Sequence, residues 1–403
     1  MGPMGRKNFM TPLKRTTMEL PRVKIQFLNG QLGTVGESSD GLMALMCGAV
    51  AVAATFALGT PYEVTSMDDV ADLGVTAENN ATLYKHLKEY YDEAESGTKV
   101  VVYGVSATAT ASQLCDYTNT STGLRDLIVK ENGALRGVGI CNVTNADMTT
   151  TLQKAQQTAE WATTELYAPL FVALEAKNYT GSADLTDLTT LEYDRCCVVA
   201  GDTEAGTKGA CMGTLLGRVA SIGVQVNIGR VKDGALEPTA MWLGDKKIDE
   251  SQSAVSAVHG KGYMVPRKHV GRSGYYWADD PMATKETEDY AHLANRRVID
   301  KAYRIAYDTL LDLLLDDVEC NTDGTLQTAV AKSWQQTVEN AINRQMTASG
   351  ELSTDEDGSG VEVYVDETQN VIATSKVNVT VKVQPKGYAR QVDVKLGFNV
   401  SNA

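Results

Sequence analysis

The residues with the best claim to chemistry are Gly201, Gly206, Thr207, Lys208 and Gly209. They follow a short apolar run at 196–200 and precede a possible helix, the setting of a phosphate-binding loop. Such a loop needs Gly-Lys-Ser/Thr, so that lysine reaches the phosphates and the hydroxyl reaches magnesium. Here Thr207 precedes Lys208 and Gly209 follows it, so the segment reads as a solvated polar turn and ATP binding is not expected. The four histidines, His86, His259, His269 and His292, have no ligand spacing among themselves and no cysteine pair nearby, which argues against zinc. The seven cysteines (47, 115, 141, 196, 197, 211 and 320) are odd in number, lack a CxxC pair and sit mostly in apolar segments. That fits buried free thiols in a reducing compartment. Arg267, Lys268, His269 and Arg272, with Tyr263, Tyr275, Tyr276 and Trp277 close by, have the composition of a nucleic-acid platform. The net charge of −14 turns the reading toward an interface or ordered loop. No catalytic residue, cofactor or metal is expected.

With chemistry sparse, the elements become informative. At 403 residues, 43% hydrophobic and 22% charged, the chain has room for two or three domains with ordinary cores. Residues 376–400 alternate strictly. Val377, Val379, Val381 and Val383 face one way, and after a break at 385–387 Val392, Val394, Leu396, Phe398 and Val400 repeat the rhythm. Two strands about a Pro/Gly turn are predicted. The second ends three residues before the C-terminus, so it pairs within its own sheet or is lent to a neighbour. A strand at 23–28, with Val23, Ile25 and Phe27 alternating before Asn29-Gly30, puts a second lendable strand near the other end.

In chain order, 41–59 is nineteen uncharged residues, long enough to span a membrane. Its glycines and its missing basic flanks and aromatic belts favour a buried helix or strand pair broken near Gly48. Ser66 caps a helix start, a longer helix begins near Asn80, and a strand follows at 100–105. Helix-then-strand order repeats at 124–130 and 135–141, a long helix covers 148–176, and strands are expected at 196–200 and 224–228. Residues 260–280 read as a boundary or ordered loop. Helices at 284–317 and 326–346 and a strand at 361–365 then lead to the final strands, giving a compact α+β domain of two helices on three or four strands. The N-terminus has no apolar signal core, and Met18 is a second candidate start.

The runs DGLMALMCGA (40–49) and LGTPYEVTSMDDVADLG (58–74) resemble the N-terminal pattern of contractile tail sheath proteins of phages and related injection particles. AHLANRRVID (291–300) resembles the family's Arg-bearing helix that opens the C-terminal domain, and the strands about Pro385 resemble its ending. The middle, about 106–240, matches only in general character. The resemblance implies a multi-domain α/β and α+β architecture: an arm at 1–22, an α/β region at 23–260, a C-terminal sheath domain at 261–390 and a terminal strand at 391–403. It implies a structural, non-enzymatic subunit that polymerises around a tube, lends terminal strands and contracts by rigid-body rearrangement. Its partners would be copies of itself, the tail tube protein, and baseplate and sheath-terminator proteins, with no nucleic acid and no membrane insertion. It would assemble in a bacterial host cytoplasm and end in a virion tail or contractile particle.

The expected self-assembly interface is Val23, Ile25, Phe27, Val392, Val394, Leu396, Phe398 and Val400. The basic face Arg296, Arg297, Lys301 and Arg304 is the expected contact with the tube or a neighbour. Rival readings are a non-contractile virion subunit (tube, capsid or adhesin) and, behind it, an α/β enzyme.

Overall fold

The computed structural model describes residues 39–177, 179–207 and 209–396. Val23, Ile25, Phe27, Lys208, Phe398 and Val400 lie outside the described residues.

The uncharged stretch at 41–59 folds as one strand, β1 (Met43–Ala49), all seven residues buried, followed by a loop. Neither a helix nor a strand pair forms there. The run contains no β-branched residue, so burial on both faces of a parallel sheet imposes the strand rather than intrinsic propensity. A Cβ on Gly48 would stand 2.0 Å from the Asn142 carbonyl oxygen, so only glycine lets β1 pass that loop. No helix among the described residues is long and apolar enough to cross a membrane.

Around β1 are β2 (Pro61–Val64), β3 (Val100–Ser106), β4 (Gly137–Cys141), β5 (Phe171–Glu175) and β6 (Cys196–Val199), in the order β2-β3-β1-β4-β5-β6. All neighbours are parallel except the edge strand β2. The connections carry α1 (Met67–Asp72), α2 (Ala81–Glu93), α3 (Leu124–Lys130) and α4 (Met148–Glu165), and α5 (Met212–Ser221) follows β6. Right-handed crossovers running outward from β1 in opposite directions place α2 and α4 on opposite faces. Helix α5 returns against α2 so closely that a Cβ on Gly213 would meet the His86 carbonyl oxygen at 1.9 Å.

Three expectations fail in this half. The long helix read over 148–176 ends at Glu165, and 171–175 is instead the buried strand β5. Residues 224–228 form turns rather than a strand: Val226 N–H donates to Gly223 O at 3.0 Å and Arg230 N–H to Asn227 O at 3.1 Å. Val224, Val226 and Ile228 are buried by packing alone, which produces a strand-like alternation without a ladder. The stretch after 261, expected to open the C-terminal domain, contributes Tyr263, Met264, Val265, Trp277 and Met282 to the first core. Met264 extends the sheet beside β6, bonding Val198 O and Ala200 N–H at 2.9 Å each.

Helix α6 (Leu293–Leu311) is shorter than the expected 284–317, because the buried Asp280 carboxylate accepts Ala294 N–H at 2.8 Å and fixes its start. It packs on α7 (Thr328–Ile342), which continues into a π turn at Asn343–Thr347. Strands β7 (Val361–Val365) and β8 (Val379–Val383) pair antiparallel and cover these helices through Val361, Val363, Val379, Val381 and Val383. Among the described residues this sheet has two strands, not three or four.

Candidate assembly surfaces

The carboxyl end of a parallel α/β sheet is where such folds usually bind ligands. Here that end holds a crevice of about 150 Å³ lined by Lys85, His86, Asn142, Glu175, Asp202 and Thr207. Its innermost charges are already engaged. Lys85 Nζ pairs with Asp202 and, at 3.1 Å, with Glu89. Glu175 accepts Asn142 N–H at 2.8 Å and Ala210 N–H at 3.2 Å. Glu175, from the end of β5, thus occupies the Ala210 amide just before α5, where a phosphate loop would present free amides. Burial opposes the charge on Glu89, but hydrogen bonds from His86 and Thr203 and the charges of His86 and Lys85 hold its pKa at about 2. Six of the seven cysteines are buried and unpaired; burial pushes the Cys115 thiol up to about 12.

The opposite, amino end of the sheet is capped by α6, and this corrects the reading of its basic face. Arg296 and Arg297 are each only 6% exposed, and neither presents a surface to a partner. Arg296 bonds Asp194 at 3.2 Å and Asp300 at 2.8 Å. Arg297 donates to the carbonyls of Val219 and Ile222 at 3.1 Å and of Gly223 at 3.3 Å, closing the end of α5. Lys301 pairs with Asp40 at 2.7 Å and Glu351 at 2.8 Å. Arg304 donates to the carbonyls of Gly133, Leu135 and Pro169. Asp40, Leu135, Pro169 and Asp194 all sit just before sheet strands, so the four cations fasten α6 to the α/β region. Burial pulls the pKa of Arg297 and Arg304 downward. Sequence spacing shows that these cations share a face; it does not show the carbonyls they meet.

A second junction holds the segment around Tyr388 and Arg390. Asp279, Asp280 and His292 hold potential ligand atoms within 4.8 Å of one another, the composition of a cation site. Their oxygens already have donors. Asn227 Nδ2 reaches Asp279 Oδ1 at 2.5 Å and Asp280 Oδ1 at 2.7 Å, and His292 Nδ1 lies 3.1 Å from Asp280 Oδ1. Burial and the Asp279 charge raise the pKa of Asp280, with His292 opposing. The cation supplied is Arg390, 2.9 Å from Asp279 and 3.6 Å from Asp280. Next to it Tyr388 donates its hydroxyl to Gln225 O at 2.5 Å. Sequence reading missed this junction, whose parts are spread from Gln225 to Arg390.

Beyond Arg390 the chain lets go. Val392, Val394 and Leu396 are 74%, 76% and 96% exposed, and residues 391–396 form no strand. The expected hairpin about Pro385 is therefore absent among the described residues: β8 pairs with β7 instead, and each of those strands keeps one unpaired edge.

The sequence matches the model described as DUF2586, N-terminal domain, over residues 20–281, and that described as DUF2586, C-terminal domain, over 289–403. No curated protein sequence matches it. In fold it is similar to a chain in the cryo-EM structure of the anti-feeding prophage (AFP) baseplate, with a TM-score of 0.61 and 16% identity, covering 95% of this chain and 100% of that one. It is equally similar to a chain of the PVC sheath complex, an extracellular contractile injection system in its contracted state, with a TM-score of 0.61 and 13% identity over 96% and 99% of the two chains. The chain belongs to the DUF2586 family and has the mixed α/β, sheath-like fold of these contractile-particle complexes.

Proposed function

We propose that this protein is the structural subunit of a contractile tail sheath, which polymerises around an inner tube and drives it through a target envelope. The observation that carries this reading is the arm beyond Arg390. Three apolar side chains at alternate positions stand in solvent, in the same domain as a sheet that has two strands, and so two open edges, among the described residues. An alternating apolar segment without a sheet, beside a sheet without a neighbour, is the arrangement that strand addition between copies completes. Residues 23–28 would serve the same purpose from the other end.

Contraction is then a rigid-body rearrangement between two lattices joined by lent strands, with energy stored at assembly and no nucleotide consumed. The subunit is non-enzymatic and requires no cofactor. It meets copies of itself, the tail tube protein, and baseplate and sheath-terminator proteins; it neither binds nucleic acid nor inserts in a membrane. It assembles in a bacterial cytoplasm and is carried in a virion tail or contractile particle. Negative-stain microscopy of the full-length protein, alone and with its tube protein, tests this. Wide hollow cylinders with helical ridges are expected; thin smooth tubes or closed shells would overturn the reading in favour of a non-contractile virion subunit.

A further inference from the structure

Two surface features that strand lending leaves unused are complementary. The first is a cleft of about 830 Å³ between the 226–231 turns, the 266–278 hairpin and residues 386–391. Arg267 and Lys386 line it, and neither has a carboxylate partner among the described residues, whereas Arg230 is spent on Asp233 and Arg390 on Asp279. Arg267 Nε is shielded from water with no acceptor. His269, also in the wall, has its pKa lowered by burial and, after that, by the charges of Arg267 and Arg272. Asp279 and Glu286 are the carboxylates in the lining, and Asp279 already holds Arg390. Val226, Val231 and Ala278 supply apolar wall.

The second feature is the knuckle that follows α6. Asp312, Asp316, Asp317 and Glu319 are exposed, and none has an ion pair among the described residues. Between them Leu314 and Leu315 are 67% and 97% exposed. Leu315 holds a left-handed φ of 64°, a conformation disfavoured for leucine, which pushes its side chain into water.

We infer that the acidic, leucine-tipped knuckle at 312–319 of one copy docks in the basic cleft at Arg267 and Lys386 of a second copy. No residue of the knuckle lines the cleft of its own chain, and each supplies what the other lacks: unpaired carboxylates for unpaired cations, and exposed leucines for an apolar wall. Because knob and hole are different surfaces, the contact is head-to-tail, and such a contact propagates into rings or open helical polymers rather than closing as a dimer. The inference rests on the self-assembly reading above and adds a contact independent of the lent strand.

Charge reversal tests it. At low ionic strength, Lys386→Glu alone, Arg267→Glu alone, and Asp316→Lys with Asp317→Lys should each lower sedimentable polymer about tenfold, and the combined reversal in one chain should restore most of it. Melting curves matching the parent show that the variants fold; Lys386→Glu keeps the test open if Arg267→Glu does not. A wild-type chain that polymerises while all the reversal variants polymerise equally well overturns the inference and leaves the sheath reading standing. Loss with the cleft variants but not the knuckle variants also overturns it, since the cleft then takes another acidic partner. If the wild type never polymerises, the sheath reading fails by itself. Oxidative cross-linking of Lys386→Cys chains mixed with Asp317→Cys chains then decides the contact: an interchain disulfide supports it and its absence overturns it.

Discussion

Arg390 Nε donates to Asp279 Oδ2 at 2.9 Å across 111 residues of sequence, the last side-chain bond among the described residues before the chain runs into solvent. This pair marks where the folded domain ends and the arm begins. Arg390→Ala or Asp279→Asn should change global stability by only about 1 kcal/mol, because the guanidinium is one-third exposed. Limited proteolysis around 386–391 should nevertheless speed up clearly, and polymer yield should fall as the arm loses its fixed origin. Unchanged cleavage in both variants would show that the pair does not anchor the arm.

Removing residues 391–403 should leave a cooperatively melting, monomeric protein that no longer polymerises. The apolar side chains described in that segment are already in water, so deletion gives up little burial. Sedimentation velocity and circular dichroism check both halves of the statement. Val394→Lys in the full-length chain should reproduce the assembly defect without shortening it. Aggregation or loss of the melting transition on truncation would instead mean that the strand completes its own domain.

Arg297→Ala and Arg304→Ala should each destabilise the fold by roughly 2–4 kcal/mol, read as a lower urea midpoint, since each removes a buried cation that satisfies several buried or part-buried carbonyls. A purely surface role would leave the midpoint unchanged and show only in assembly.

Gly213→Ala forces a methyl into the backbone of α2 and should cost roughly 1–3 kcal/mol through separation of α2 and α5. Thermal melting of this variant against an exposed control, Gly234→Ala, tests the contact. Gly234 has open space around its Cβ position but a φ of 93°, so its substitution carries backbone strain alone.

Acid should weaken the α/β region through Glu89. Its folded pKa of about 2 lies below the ordinary 4.5, so its contribution is fully present above pH 4.5 and is lost as pH falls toward 2. The effect is on the order of 3 kcal/mol, set by the pKa difference. Glu89→Gln should flatten this part of the stability–pH profile; a profile identical to the parent would show that other carboxylates dominate.

Much of the architecture was legible because it depends on local pattern. The buried run at 196–199, the alternation at 361–365 and 379–383, and the four-residue spacing of Val338 and Ile342 each specify an element and its inward face. Tertiary structure alone decided what those faces meet. Residues 43–49 became a strand because sheet neighbours on both sides satisfy their backbone, and 224–228 stayed a set of turns because burial there needs no ladder. Arg296, Arg297, Lys301 and Arg304 read as a solvent-facing basic face, since a helix pattern records angular position but not the carbonyls of residues 133, 135 and 169 across the domain. The terminal alternation at 392–396 behaves the same way: the sequence specifies a segment able to enter a sheet, and which sheet it enters depends on where a partner edge stands in space.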